Sequence, residues 1–300
     1  MIRPHLGPAL YTPATRPDLF SLGTIRYPDL GSLIYCTEDA IREEDVPAAL
    51  HNLEAALPTL VGQPGPQRFI RVRDVSVLKD ILGFDLRGVR GLVLPKVHDG
   101  NLGAYMALLS DRPELLVMPT LETREALSEH RMSLLRDLMF QEGWPPQILA
   151  LRIGGNDLMN ALGVRRSPGR TLYEGPLERV ISMLIGVFKP YGFALSSPVY
   201  EVYDDLATLA REVQQDIEYG LSGKTIIHPV QLETVLAGYR VAEADLAEAH
   251  AILEPGAPAV FKMNGRMCEP ATHTKWAQDI VLRAEQYGTL PPQSSEALGF

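Results

Sequence analysis

The chain has 300 residues, 46% of them hydrophobic and 22% charged, with a net charge of -9 and a pI of about 5.3. That is enough material for a large buried core, and its acidity argues against a nucleic-acid partner, because an anionic protein repels polyphosphate at long range. No apolar run approaches the roughly 20 residues needed to span a bilayer, and the N-terminus lacks an apolar stretch long enough for a signal peptide. With only Cys36 and Cys268, neither a disulfide framework nor zinc spacing is present. A cytoplasmic, reducing setting without membrane contact is the expectation.

Short apolar runs recur along the chain at Ala9–Thr12, Ser32–Cys36, Phe69–Arg73, Gly91–Pro95, Leu115–Pro119, Ile148–Ile153, Phe193–Ser197 and Thr225–His228. Most are too continuous for one-sided strands and read as parallel strands buried on both faces. Helical periodicity fills the intervals. Asp45–Leu60 carries apolar residues at 46, 50, 53, 57 and 60, and Leu177–Phe188 and Tyr203–Tyr219 behave similarly, with Pro176 suited to a first turn. This alternation predicts a (β/α)8 TIM barrel. An open doubly wound sheet would want a glycine-rich turn after its first strand, and YTPATRP (11–17) is not one. The expected organisation is a barrel over 1–254, a C-terminal helical extension over 255–288 that packs on a neighbouring subunit, and a loose tail over 289–300.

In a barrel, chemistry sits where the strands end. The ends here carry Thr12 and Arg16, Glu38 and Asp39, Arg71 and Arg73, Lys96, Glu122, Asn156 and Asp157, Ser196 and Ser197, and His228. Glu122 and Asp157 follow neighbouring strands, and two carboxylates can share a hard cation. Mg2+ usually takes one or two carboxylates and fills its other positions with water and substrate oxygens; Mn2+ is the alternative. Arg71 would hold a substrate carboxylate as a planar fork. Arg73, two residues on, would share its face and enter the barrel mouth. Such a site suits enolate chemistry on a small-molecule substrate. The plain structural readings are that Glu122 and Asp157 pair with Arg71 or Lys96, that Lys96 pairs with an acidic neighbour, that His228 satisfies its own loop, and that Lys224 is structural at the bottom of the barrel.

At these residues the chain resembles the citrate lyase beta-subunit-like family, which includes the malyl-CoA lyases and belongs with the HpcH/HpaI-type aldolases. The motifs, in order, are LYTPATRP, CTEDAI, IRVR, GLVLPKV, PTLETREAL, IGGNDLMNALG, GLSGKTIIHPVQL and MNGRMCEPA. The resemblance implies the same barrel, Mg2+ on Glu122 and Asp157, a substrate carboxylate on Arg71, and Arg16 in the rim that meets substrate or coenzyme A. It places Glu38 and Asp39 near the metal; Lys96, at a strand end after a proline, is a candidate substrate contact by its position. The resemblance puts Glu269 at the position of an acid–base aspartate that comes from a neighbouring subunit in malyl-CoA-type members, within a trimeric or hexameric homo-oligomer.

The chain departs from the family pattern at several positions. Cys36 replaces an aspartate, Arg73 an asparagine and Glu269 an aspartate, and Ala14-Thr15 departs from the usual P-G-x before Arg16. The expected activity is Mg2+-dependent carbon–carbon cleavage or aldol chemistry on a 2-oxo acid or a 3-hydroxyacyl (coenzyme A thioester-like) substrate. The departures motivate two alternatives: a non-CoA anionic substrate, phosphorylated for example, or a non-catalytic scaffold subunit that keeps the barrel.

Overall fold

Eight parallel strands run through residues 6–290, the part of the chain described by the computed structural model. They are β1 (Gly7–Pro13), β2 (Ser32–Cys36), β3 (Gln67–Arg71), β4 (Gly91–Leu94), β5 (Leu116–Leu121), β6 (Leu151–Ile153), β7 (Leu195–Ser196) and β8 (Gly223–Ile226). Each pairs with its sequence neighbour, and β1 also pairs with β8. A parallel bridge between Ser197 and Lys224 joins β7 to β8. The result is a TIM barrel.

The helices lie between the strands: α1 (Leu19–Leu22), α2 (Val46–Ala56), α3 (Val75–Leu82), α4 (Leu102–Leu108), α5 (Glu129–Gln141), α6 (Gly155–Ala161), α7 (Leu177–Phe188), α8 (Leu206–Glu218) and α9 (Leu232–Tyr239). Short polar side chains set several starts. Asp74 accepts from the Val77 amide at 2.9 Å and Asp205 from the Thr208 amide at 3.0 Å, each satisfying an amide that has no partner inside its helix. Asp205 therefore starts α8 later than Tyr203. The periodic stretch Asp45–Leu60 is α2 followed by a 3-10 turn from Leu57, where Pro58 cannot continue the α-helical ladder. Pro176 sits just before α7 rather than inside it.

Strand ends differ from expectation in two informative places. β5 runs through Pro119 to Leu121, because pairing of Thr120 with Arg152 and Leu121 with Ile153 carries it past the proline. β8 begins at Gly223, so Lys224 lies within the strand, and His228 falls in the following turn. There its Nδ1 accepts from the Val230 amide at 3.2 Å and its ring stacks on Tyr203.

Side chains alternate across each strand, and that alternation builds the barrel interior in layers. Ala9, Ile34, Phe69, Val93, Met118 and Ala150 form a dry layer. Two residues further along, the inward positions are Tyr11, Cys36, Arg71, Thr120 and Arg152, and the interior turns polar.

A second compact unit begins at Leu236. It contains β9 (Val241–Ala242), α10 (Glu243–Leu253), β10 (Phe261–Met263), β11 (Arg266–Cys268), α11 (Pro270–Tyr287) and β12 (Thr289–Leu290). The division falls after Val235, earlier than the expected 254, because α10 shares a core with α11 through Ala249, Ile252, Cys268, Ala277 and Ile280. The expected loose tail begins with β12, paired to β9; residues 291–300 lie outside the described residues. No helix among the described residues is long and apolar enough to cross a membrane.

Candidate active site

The polar layer opens into a cavity of about 280 Å³ at the C-terminal ends of the strands. Arg71, Glu122, Asp157 and Asp39 all line it, joined by Arg152, Thr120 and Thr225. Each is delivered by a strand end. Arg71 is the last residue of β3, and its carbonyl accepts from both the amide and the hydroxyl of Thr37, at 3.0 and 2.8 Å. Glu122 is the first residue after β5, and Asp157 lies in the first turn of α6, where a helix N-terminus favours negative charge.

One network links these groups. Arg71 Nη2 contacts Glu38, and lies 3.1 Å from both Asp39 and Glu122. Lys96 Nζ contacts Glu38, lies 3.4 Å from Asp39 and 3.9 Å from Asp157. The Lys96 amide donates to Glu122 Oε1 at 2.9 Å. To aim that amide, Lys96 adopts φ 51°, a left-handed conformation unusual for a residue with a side chain. Asn101 braces the turn by donating to the Lys96 carbonyl at 2.9 Å.

Burial pushes the Glu122 carboxyl up to about 7, against the pull of Arg71 and the Lys96 amide. Burial likewise raises Glu38, although Arg71 and Lys96 oppose it. Burial works the same way on the half-exposed Asp39, but there Arg71, Glu38 and Lys96 prevail and hold the carboxyl low. Cys36, buried at the cavity wall, has its thiol raised by burial, which makes it a poor nucleophile.

The residues fit a divalent cation. Four carboxylates (Glu38, Asp39, Glu122, Asp157) meet only two cations (Arg71, Lys96) in the network, so it carries an excess of negative charge. Both hydrogen bonds of Glu122 fall on Oε1, leaving Oε2 without a partner among the described residues. No group of three or more His, Cys, Asp or Glu suited to a metal occurs among the described residues. Two carboxylates with substrate and water oxygens suit Mg2+ rather than a fully protein-liganded ion.

Gly154 makes the close approach possible. A Cβ there would stand 2.2 Å from Glu122 Oε2 and 2.4 Å from Glu122 Cβ. Gly154→Ala is therefore expected to push Glu122 out of place. Mg2+ affinity measured by calorimetry should fall at least about tenfold, with a stability loss of about 1–3 kcal/mol from overpacking.

Other expected site residues take different places. Arg73 follows the end of β3, so strand alternation no longer applies to it; its guanidinium reaches the Thr37 and Glu38 carbonyls at 3.4 Å and does not line the cavity. Arg16 forms a two-bond pair with Asp18, both at 2.8 Å, and lines a separate surface groove with His51 and Asn52. Lys96 pairs through its side chain with Glu38 and Asp39, not with Glu122. Glu269 belongs to the second unit, immediately before α11, where Thr272 Oγ1 donates to it at 3.1 Å. Sequence reading passed over Tyr11, Arg152 and Thr225. Arg152 lies two residues beyond Ala150, which only the fold shows to face inward.

A closed parallel barrel with a charged, carboxylate-rich mouth defines a TIM-barrel enzyme. The family described as "C-C_Bond_Lyase of the TIM-Barrel fold" matches residues 1–289, and the chain belongs to that family of carbon–carbon lyases. Among its relatives is a (3S)-malyl-CoA thioesterase of Cereibacter sphaeroides, 26% identical over 223 residues (73% of this chain, 72% of the relative). A second protein of that name, from another strain of the same species, is 27% identical over 274 residues, covering 85% of this chain and 86% of the relative. The fold is similar to that of CitE from Mycobacterium tuberculosis in complex with magnesium, acetoacetate and coenzyme A: the TM-score is 0.67 at 21% identity, covering 93% of this chain and 98% of the other. It is also similar to a citrate lyase beta subunit from M. tuberculosis complexed with oxaloacetate and magnesium, with TM-score 0.59, 20% identity, and coverage of 78% and 96%.

Proposed function

We propose that the protein is a Mg2+-dependent lyase that cleaves or forms the carbon–carbon bond between the carbons α and β to the carbonyl of a 2-oxo acid or a 3-hydroxyacyl thioester. The observation that carries this reading is the pairing of Glu122 and Asp157 in one cavity with more carboxylate than cationic charge around them. Glu122 and Asp157 would hold the cation, with Mn2+ as the alternative metal. When bound, the cation supplies positive charge against the enolate that carbon–carbon cleavage generates.

The chain's own side chains do the rest. Arg71 orients the substrate carboxylate; its Nε is buried without a hydrogen-bond partner. Lys96 fixes Glu122 through its backbone and Glu38 through its side chain, so the carboxylates are positioned before substrate arrives. Arg16 and its groove are where a coenzyme A portion of the substrate would lie. Glu269 would move the proton at the carbon that leaves, supplied from a neighbouring copy in a cytoplasmic homo-oligomer. The exposed Val260 and Met267 of the second unit support such an assembly. Magnesium, coenzyme A and oxaloacetate in the similar structures support the same reading. The pairing of Arg16 with Asp18 favours the second reading, a substrate without coenzyme A.

The test is calorimetric titration of metal-stripped protein with oxalate, a mimic of the pyruvate enolate, with and without Mg2+. Oxalate is expected to bind only in the presence of Mg2+. Binding with neither would reduce the carboxylates to structural partners of Arg71 and Lys96 and favour the scaffold alternative.

A further inference from the structure

Arg152 is the cation in the cavity wall that the lyase reading leaves without a task. It is 2% exposed and lines the same cavity as Arg71 and Glu122. Every partner it has among the described residues is neutral. Its Nη2 donates to Thr225 Oγ1 at 2.5 Å, its Nη1 lies 3.9 Å from Met118 Sδ, and its guanidinium stands 5.3 Å from the centre of the Tyr11 ring. No carboxylate of the described residues forms an ion pair with it. Arg71 is the opposite case, with three carboxylates on a single nitrogen.

A buried guanidinium is costly to leave without a counter-charge. Here no described residue supplies one, and the side chain is all but closed to bulk water. The polar side chains around it, Thr225 and Tyr11, orient it without neutralising it. Its five donors in a rigid fork match a carboxylate or a phosphoryl group. Arg71 also lies over the Tyr11 ring, 5.8 Å from its centre, and lines the same cavity, so both guanidinium groups border the space a substrate would enter. Thr120, directly opposite Arg152 in the β5–β6 register, has a buried hydroxyl without a hydrogen-bond partner. The polar wall is therefore built for an anionic, oxygen-rich ligand.

Resting on the lyase reading above, we infer that Arg152 binds a second anionic group of the substrate and selects small acids that carry one over those that do not. The 2-oxo or 2-hydroxy carboxylate end belongs to the cation and Arg71; the far end, a carboxylate or a phosphoryl group, belongs to Arg152. Arg152 is a specificity-determining residue in this assignment and takes no part in bond breaking.

The test uses calorimetry with Mg2+ and three stable probes that share a 2-hydroxy carboxylate: glycerate, malate and 3-phosphoglycerate. They differ in what the third carbon carries, a hydroxyl, a carboxylate or a phosphoryl group. The wild-type protein is expected to bind malate or 3-phosphoglycerate at least about tenfold tighter than glycerate, the gain expected of charge-assisted hydrogen bonds. The preferred probe identifies the group. In Arg152→Met all three should bind with about the affinity of glycerate, and in Arg152→Lys, which keeps the charge but loses the fork, the preference should shrink. Mg2+-dependent glycerate binding without preference for either dianion would overturn the inference while leaving the lyase reading intact. A preference that survives Arg152→Met would do the same. If none of the three binds with Mg2+, both readings fail together. The wild-type comparison stands even where a variant does not fold.

Discussion

Glu122→Gln is expected to abolish Mg2+-dependent oxalate binding, with at least a 100-fold loss of affinity and of any lyase turnover, while the fold survives. The reasoning is local. Glutamine keeps the shape and can still accept from the Lys96 amide, but it removes the anionic charge a cation needs. Arg71 retains Glu38 and Asp39, so no buried guanidinium is stranded, and the melting temperature should change by only a few degrees. Asp157→Asn should act in the same direction. Asp157 is about one-third exposed, and its ion pair among the described residues is a long one, 3.9 Å to Lys96, so its loss should leave stability almost unchanged. Calorimetry on both variants, with circular dichroism as the folding control, checks this. Metal-linked oxalate binding that survives in both variants would remove Glu122 and Asp157 from the metal role.

Lys224→Met is expected to be the most damaging single change for stability. Lys224 is fully buried on β8 and lies 2.7 Å from Glu212 and 3.0 Å from Asp216, both buried on α8. Arg166 contacts the other oxygen of Glu212, the Leu172 amide donates to it at 2.8 Å, and Tyr173 donates to Asp216 at 2.6 Å. This network ties the last barrel strand to α8 and to the long loop after α6. Removing one partner leaves carboxylate charge in the interior, which costs about 3–5 kcal/mol.

The pH dependence has a definite sign. Burial already pushes Asp216 up to about 6, with Lys224 pulling it down; without Lys224 it rises further. A carboxyl whose folded value is raised stabilises the fold at low pH and loses that contribution as pH climbs through the folded value. The deficit of Lys224→Met against wild type should therefore be largest near pH 7 and shrink toward pH 5. Urea denaturation at both pH values measures it. Adding Glu212→Gln and Asp216→Asn should recover part of the loss, because no buried charge then lacks a partner.

Much of the architecture was legible in the sequence. The eight apolar runs are the eight barrel strands, since burial on both faces leaves a continuous hydrophobic signature. Strand ends also pointed to Arg71, Glu122 and Asp157, and the cavity brings those three together. Arg73 shows where strand periodicity stops applying. Alternation holds only inside a strand, and β3 stops at Arg71, so the next arginine turns toward the Thr37 and Glu38 carbonyls. Arg152 shows the converse. It sits within an apolar run between Leu151 and Ile153, where a charge reads as an interruption until the inward face of β6 is known.

The sequence by itself determined the parallel barrel, the order of its strands and the carboxylates at their ends, because hydrophobic period and residue type are local properties that every residue carries with it. Only the tertiary structure decided which charges meet. Arg71 gathers three carboxylates from two other strand ends, Lys96 turns its amide to Glu122 and its ammonium to Glu38, and Arg152 is left with neutral partners. Those choices depend on distances between segments tens of residues apart in the chain, which closure of the barrel sets and no local pattern records.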